Sequence, residues 1–147
     1  DFAYKTSGAV GPGANLNGAY FNTAYLRGVD LEEARLLGAY LSGADLTGAN
    51  LAGAVLSGAD LRKSFLTGAC LRSARFNGSD LRGVDFRAAD LTNAQFENVE
   101  SIAGADFGLA QGLTPELRST FLSRPGIQLD EWNPFTRRTT RQSLQLT

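Results

Sequence analysis

At 147 residues the chain is long enough for one domain with appendages. Its 15 acidic and 14 basic residues leave a net charge of −1, so no strong field steers it towards nucleic acid or an anionic membrane. No apolar run approaches the ~20 residues of a membrane span. The absence of His removes any Ser–His or Cys–His nucleophile pair and any His-ligated metal. The sequence starts at Asp1 and contains no Met, which reads as the mark of a removed targeting segment or of a chain trimmed at its start.

Residues 1–13 (DFAYKTSGAVGPG) read as an N-terminal arm. Gly8, Gly11, Pro12 and Gly13 make a loop, while Phe2 and Tyr4 are apolar enough to anchor the arm as a cap over the open top of the repeat that follows, the alternative being a loose arm.

From Ala14 the chain becomes a repeat, and residues 14–107 read as one solenoid. Every fifth position from Leu16 through Phe21, Leu26 and Leu31 to Phe86, Leu91 and Phe96 is Leu or Phe, 17 in all. Two residues before each stands a small residue, Ala at 13 of the 17, and two residues after stands Gly at 10 of the 17. The unit is A(D/N)LxG. A step of five drifts around an α-helix and flips faces on a flat strand, so neither element can bury these leucines together. It works if the chain turns a corner every five residues, each side of the coil pointing one large and one small residue inward. Gly suits the corners, and successive coils then pair at ~4.8 Å.

This run resembles the pentapeptide-repeat family, over 83 residues without a gap. The resemblance implies an all-β solenoid, a right-handed quadrilateral β-helix of about four coils of ~20 residues, followed here by a short C-terminal helix and an extended tail. The family hosts many roles, so the fold alone assigns none.

In this register residues 20 apart stack on one side of the coil. Tyr20, Tyr40, Asp60 and Asp80 form one column and Tyr25, Asp45, Phe65 and Asp85 the next. A third holds Asp30, Asn50, Cys70 and Asp90, and the last Asn15, Arg35, Val55, Arg75 and Gln95. Tyr20, Tyr25 and Tyr40, with Leu37, Val55 and Phe65, point outward and make a candidate partner surface, unless the chain's own arm or tail covers them. The lower half alternates Asp and Arg and reads as a solvated face rather than a docking field. Cys70 faces outward as a lone thiol and reads as incidental, the alternative being a redox role or an intermolecular disulfide.

The repeat breaks near Glu100, and Phe107 follows Phe96 by 11 residues, so one residue has been inserted and the last turn is expected to be irregular. Residues 108–147 are read as a capping helix and tail. Thr114, Pro115 and Glu116 make an N-cap, a first helical residue and a favourable first-turn charge. Leu113, Leu117, Phe121 and Leu122 form its apolar face, and Pro125-Gly126 stops it. Such a helix plugs the lower end of the coil, with homodimer formation as the alternative; a monomer is the favoured reading. In the tail, Trp132 and Phe135 can anchor against the solenoid, and from Trp132 onward the chain carries Arg137, Arg138 and Arg141 and no acid. NPFTRRTTRQSL resembles the NPxTxxxTRxSL ending of pentapeptide-repeat proteins of cyanobacteria and the plant thylakoid lumen. Some of those relatives carry a C-terminal disulfide, which this chain lacks, since Gln145 follows the Ser-Leu and Cys70 has no second Cys.

The chain is read as non-enzymatic and without a cofactor. Carboxylates remain as acids and bases, but the register sets the Asp residues on convex, solvated sides, and Leu, Phe and Ala fill the interior. Two binding roles follow from the resemblance. One is a scaffold of the thylakoid lumen that docks on a photosystem or other thylakoid complex from its lumenal side; periplasm and cytoplasm are the alternative locations. The other is a DNA mimic that binds gyrase, beside a soluble regulatory module of unknown target. Mimicry needs a phosphate-like exterior, whereas residues 16–97 hold 9 acids against 8 basic residues.

Overall fold

A computed structural model describes residues 10–147; the anchors Phe2 and Tyr4, and most of the N-terminal arm, lie outside the described residues. Parallel bridges pair residues 20 apart in four columns, Asn15↔Arg35↔Val55↔Arg75↔Gln95 among them. The chain is therefore a coil of four five-residue sides. Among the described residues its β-structure consists of isolated bridges separated by turns, not of extended strands. Each side has only enough straight backbone for one bridge before the next corner.

Backbone hydrogen bonding explains the repeat unit. The inward residue donates its N–H to the coil below, as Leu56 does to the Arg75 carbonyl at 2.7 Å. Two residues on, the Gly58 N–H bonds the Asn77 carbonyl, and the Ala59 N–H closes a turn on the Leu56 carbonyl. That turn needs a left-handed residue, and Gly58 has φ +67°. The bridging residue donates upward, as Val55 does to Ala34. One N–H in five, that of the residue after the inward one, has no backbone partner in this scheme. An Asp or Asn at the bridge accepts it: Asp60 from the Arg62 amide and Asp80 from the Arg82 amide, both at 3.2 Å. The bridging side chain thus supplies the acceptor that the coil's backbone leaves out, which gives the A(D/N)LxG unit its polar second letter.

Leu and Phe from Leu16 to Phe107 form one continuous core with the alanines between them. Burying each such side chain contributes about 1.5–3 kcal/mol. Low in the coil the core becomes aromatic. Phe76 stacks on Phe96 at 5.0 Å, Phe86 on Phe107 at 5.1 Å, and Phe121 closes the column, 4.8 Å from Phe107.

The lower end departs from the sequence reading in two ways. The inserted residue is absorbed at one corner. Bridges beyond it pair residues 21 apart, from Asp80↔Ser101 to Asp90↔Gln111, so the ladder resumes its regular form. Ile102, fully buried, takes the inward place that the five-residue count left empty. In addition, three helices stand where one was expected: α1 (Pro115–Leu122), α2 (Gly126–Leu129) and α3 (Thr140–Leu144). Thr114 caps α1 by accepting the Leu117 amide at 3.1 Å. Thr139 and Gln142 cap α3 reciprocally. No helix among the described residues is long and apolar enough to cross a membrane.

Candidate docking surfaces

The coil spacing sets the geometry of the tyrosines. Tyr20 and Tyr40 occupy bridged positions on adjacent coils, and their rings stack at 4.9 Å and 8°. The interstrand distance of ~4.8 Å is also a good stacking distance. The pair stays half-open to solvent, at 55% and 42% exposure, with Leu37 at 41%. Tyr25, on the next side, is 71% exposed, and the Arg27 guanidinium lies 5.8 Å from its ring centre. Arg27 is held there by Asp45 of the coil below, its Nε donating at 2.7 Å. Four of the six residues predicted as a partner surface thus lie exposed on the upper coils. Val55 and Phe65 are half-buried. Phe65 lies under Phe135 of the tail, ring centres 4.4 Å apart, so the chain covers part of its own apolar surface.

The carboxylates correct the expectation that every Asp is solvated and unperturbed. Asp85 and Asp106 are fully buried and Asp80 nearly so. Each folds back on its own turn: Asp85 accepts the Arg87 amide at 2.9 Å and two guanidinium nitrogens of Arg87. Arg62 makes the same clasp on Asp60 and Arg82 on Asp80. The Arg62 clasp outweighs partial burial and holds Asp60 below the usual carboxylate range. For Asp45, burial raises the pKa, but hydrogen bonds from Thr47 and Arg27 overcome it and leave the net shift downward. Asp90 is lowered chiefly by the Thr92 hydroxyl, with help from Arg72 of the coil above. Each of these carboxylates is thus paired with an arginine.

The tail motif serves docking of the tail itself. Asn133 is fully buried; its amide nitrogen donates to the Gly104, Val84 and Gly83 carbonyls at 2.9, 3.2 and 3.4 Å. Its oxygen accepts the Phe135 and Thr136 amides. Thr136 donates to buried Asp106 at 2.6 Å, and Thr140 to the Ile102 carbonyl. Ser143 accepts the Phe107 amide at 2.9 Å, and Leu144 is buried. Among the predicted tail contacts, Phe135 meets Phe65, Arg138 approaches Asp106 at 3.5 Å and Arg141 binds Asp130 at 2.9 Å. Trp132, 55% exposed, and Arg137 face solvent. The sequence reading missed Asn133, Thr136, Thr140 and Ser143. Their signal was the motif itself, in which each is a fixed letter.

The pentapeptide repeats family description, in 8 copies, matches residues 13–39, 39–78 and 69–100. The chain belongs to that family. No curated protein matches the sequence. Among solved structures it is similar to a pentapeptide repeat protein from the Arabidopsis thaliana thylakoid lumen, at 28% identity and a TM-score of 0.60, covering 91% of this chain and 89% of that one. It is also similar to QnrB1, a plasmid-mediated fluoroquinolone resistance protein, at 21% identity and a TM-score of 0.43 over 75% of this chain. This chain spans only 62% of QnrB1. A third likeness is to HetL, involved in heterocyst differentiation regulation in the cyanobacterium Nostoc, at 31% identity and a TM-score of 0.26, over 67% of this chain and 49% of that one.

Proposed function

We propose that this protein is a non-enzymatic docking scaffold of the thylakoid lumen, whose upper tyrosine surface binds a photosystem or another thylakoid complex from its lumenal side. The observation that carries the reading is the exposed Tyr20–Tyr40 stack beside Tyr25 and Leu37. Aromatic side chains held in fixed positions lose little entropy on binding and dominate partner interfaces. The likeness to the Arabidopsis thylakoid-lumen protein along nearly the whole chain supports the location. DNA mimicry is disfavoured, because the Asp columns that would stand for phosphates are clasped by Arg62, Arg82 and Arg87. Affinity capture from gently solubilised thylakoid membranes tests the proposal. Recovery of one membrane complex in constant ratio is the expected result. Recovery of gyrase, or of no thylakoid complex, contradicts it.

A further inference from the structure

The lower end of the coil has four edges, and the cap serves them unequally. On one side Gln128 accepts the Ile102 amide and Arg124 donates to the Val99 carbonyl. On the next, Ser143 accepts the Phe107 amide and the Leu146 carbonyl accepts the Leu109 amide. The ladder then ends at Gln111, where Gly112 (φ +84°) turns the chain away over Thr92. Past that point the edge of residues 93–96 has no coil beneath it. One coil higher, Ser73 and Phe76 donate their amides downward and Ala74 accepts from Gln95. The equivalent Asn93 and Phe96 amides and the Ala94 carbonyl make no such bonds among the described residues.

A groove of about 630 Å³ runs between this edge and α1. Its floor is apolar, with half-buried Ala94, Leu113 and Leu117, and its only charged lining residues are Glu97 and Glu116. We infer that this edge takes an extended, basic peptide segment of a protein partner, paired through one β-bridge at Gln95. The Ala94 carbonyl and the Phe96 amide, on either side of Gln95, offer the acceptor and donor that form one bridge in the coils above, which is how a strand adds to an open edge, while Asn93 (φ +60°) lies at the corner beyond it. The two carboxylates, with no cation in the lining, select a segment carrying Lys or Arg. The site lies at the opposite end from the tyrosine surface and is independent of it.

The test uses the whole chain and a fluorescein-labelled heptapeptide of alternating valine and lysine. Saturable binding is expected, with slowed hydrogen exchange at the Phe96 amide. N-methylation of alternate peptide bonds, which removes strand pairing, should weaken binding about tenfold or more. Thr120→Arg, at an exposed position on the groove wall, should abolish binding without moving the thermal midpoint. Equal binding of the N-methylated or an all-glutamate version overturns the inference, as does the absence of saturable binding. Concentration-dependent dimers removed by Thr120→Arg would also overturn it, by assigning the edge to a second copy.

Discussion

Asn133 saturates its amide with three carbonyls and two backbone N–H groups at a fully buried position. Replacing it with Ala strands that set in the interior and should cost about 3 kcal/mol, read as a lowered denaturation midpoint together with faster proteolysis of the tail. An unchanged midpoint would mean that the tail is held by its other contacts. Glycine corners make a second residue-scale case. Gly58 has open space around it, so Gly58→Ala should cost only the left-handed penalty of about 1–2 kcal/mol. A Cβ at Gly112 would overlap the Thr92 amide nitrogen, so Gly112→Ala should destabilise by clearly more. Equal effects in urea denaturation would refute that contrast. At this scale the sequence was half legible. Leu and Ala announced their inward places, but the bridging Asp looked like a surface charge. It folds back on the side chain and the amide of the residue two places on, and the backbone half of that clasp is not visible in charge patterning.

At the scale of the element, α1 was readable from Thr114, Pro115 and the spacing of Leu113, Leu117 and Phe121. Phe121 fills the place beneath the aromatic column that a further coil would occupy, touching Phe96 and Phe107. Ending the chain before Leu113 should therefore expose the column and the Ile102 and Phe107 edges, producing aggregates by size-exclusion chromatography. A monodisperse truncated chain would show that the coil needs no cover. The helices α2 and α3 escaped notice because, at 4 and 5 residues, they are too short for hydrophobic periodicity. Their positions are fixed by contacts with the coil's lower edge, through Gln128, Thr140 and Ser143. The insertion at Glu100 was visible in the count. That the ladder would recover from it was not, since the recovery depends on Ile102 reaching the core.

At the scale of the molecule, the charge pattern is built to stay constant with pH. Asp45, Asp60 and Asp90 are held below the usual carboxylate range, and the Arg residues that pair with Asp45 and Asp60 are raised. A carboxylate lowered on folding adds stability that is present above its unfolded pKa and lost as pH falls through its folded one. Without His, no unperturbed side chain in the sequence titrates between about pH 5 and 8. The thermal midpoint should thus be flat from about pH 8 to 5 and fall only in and below the carboxylate range. A midpoint that drops steadily between pH 7 and 5.5 would show a titrating group outside this account.

The most direct test of the scaffold reading replaces Tyr20, Tyr25 and Tyr40 together with Ser and repeats the capture from thylakoid membranes. All three rings stand outside the core, so the thermal midpoint should stay nearly unchanged while recovery of the membrane complex is lost. A large fall in the midpoint would assign the rings to packing, and undiminished capture by a stable variant would place the partner's contact elsewhere and contradict the account.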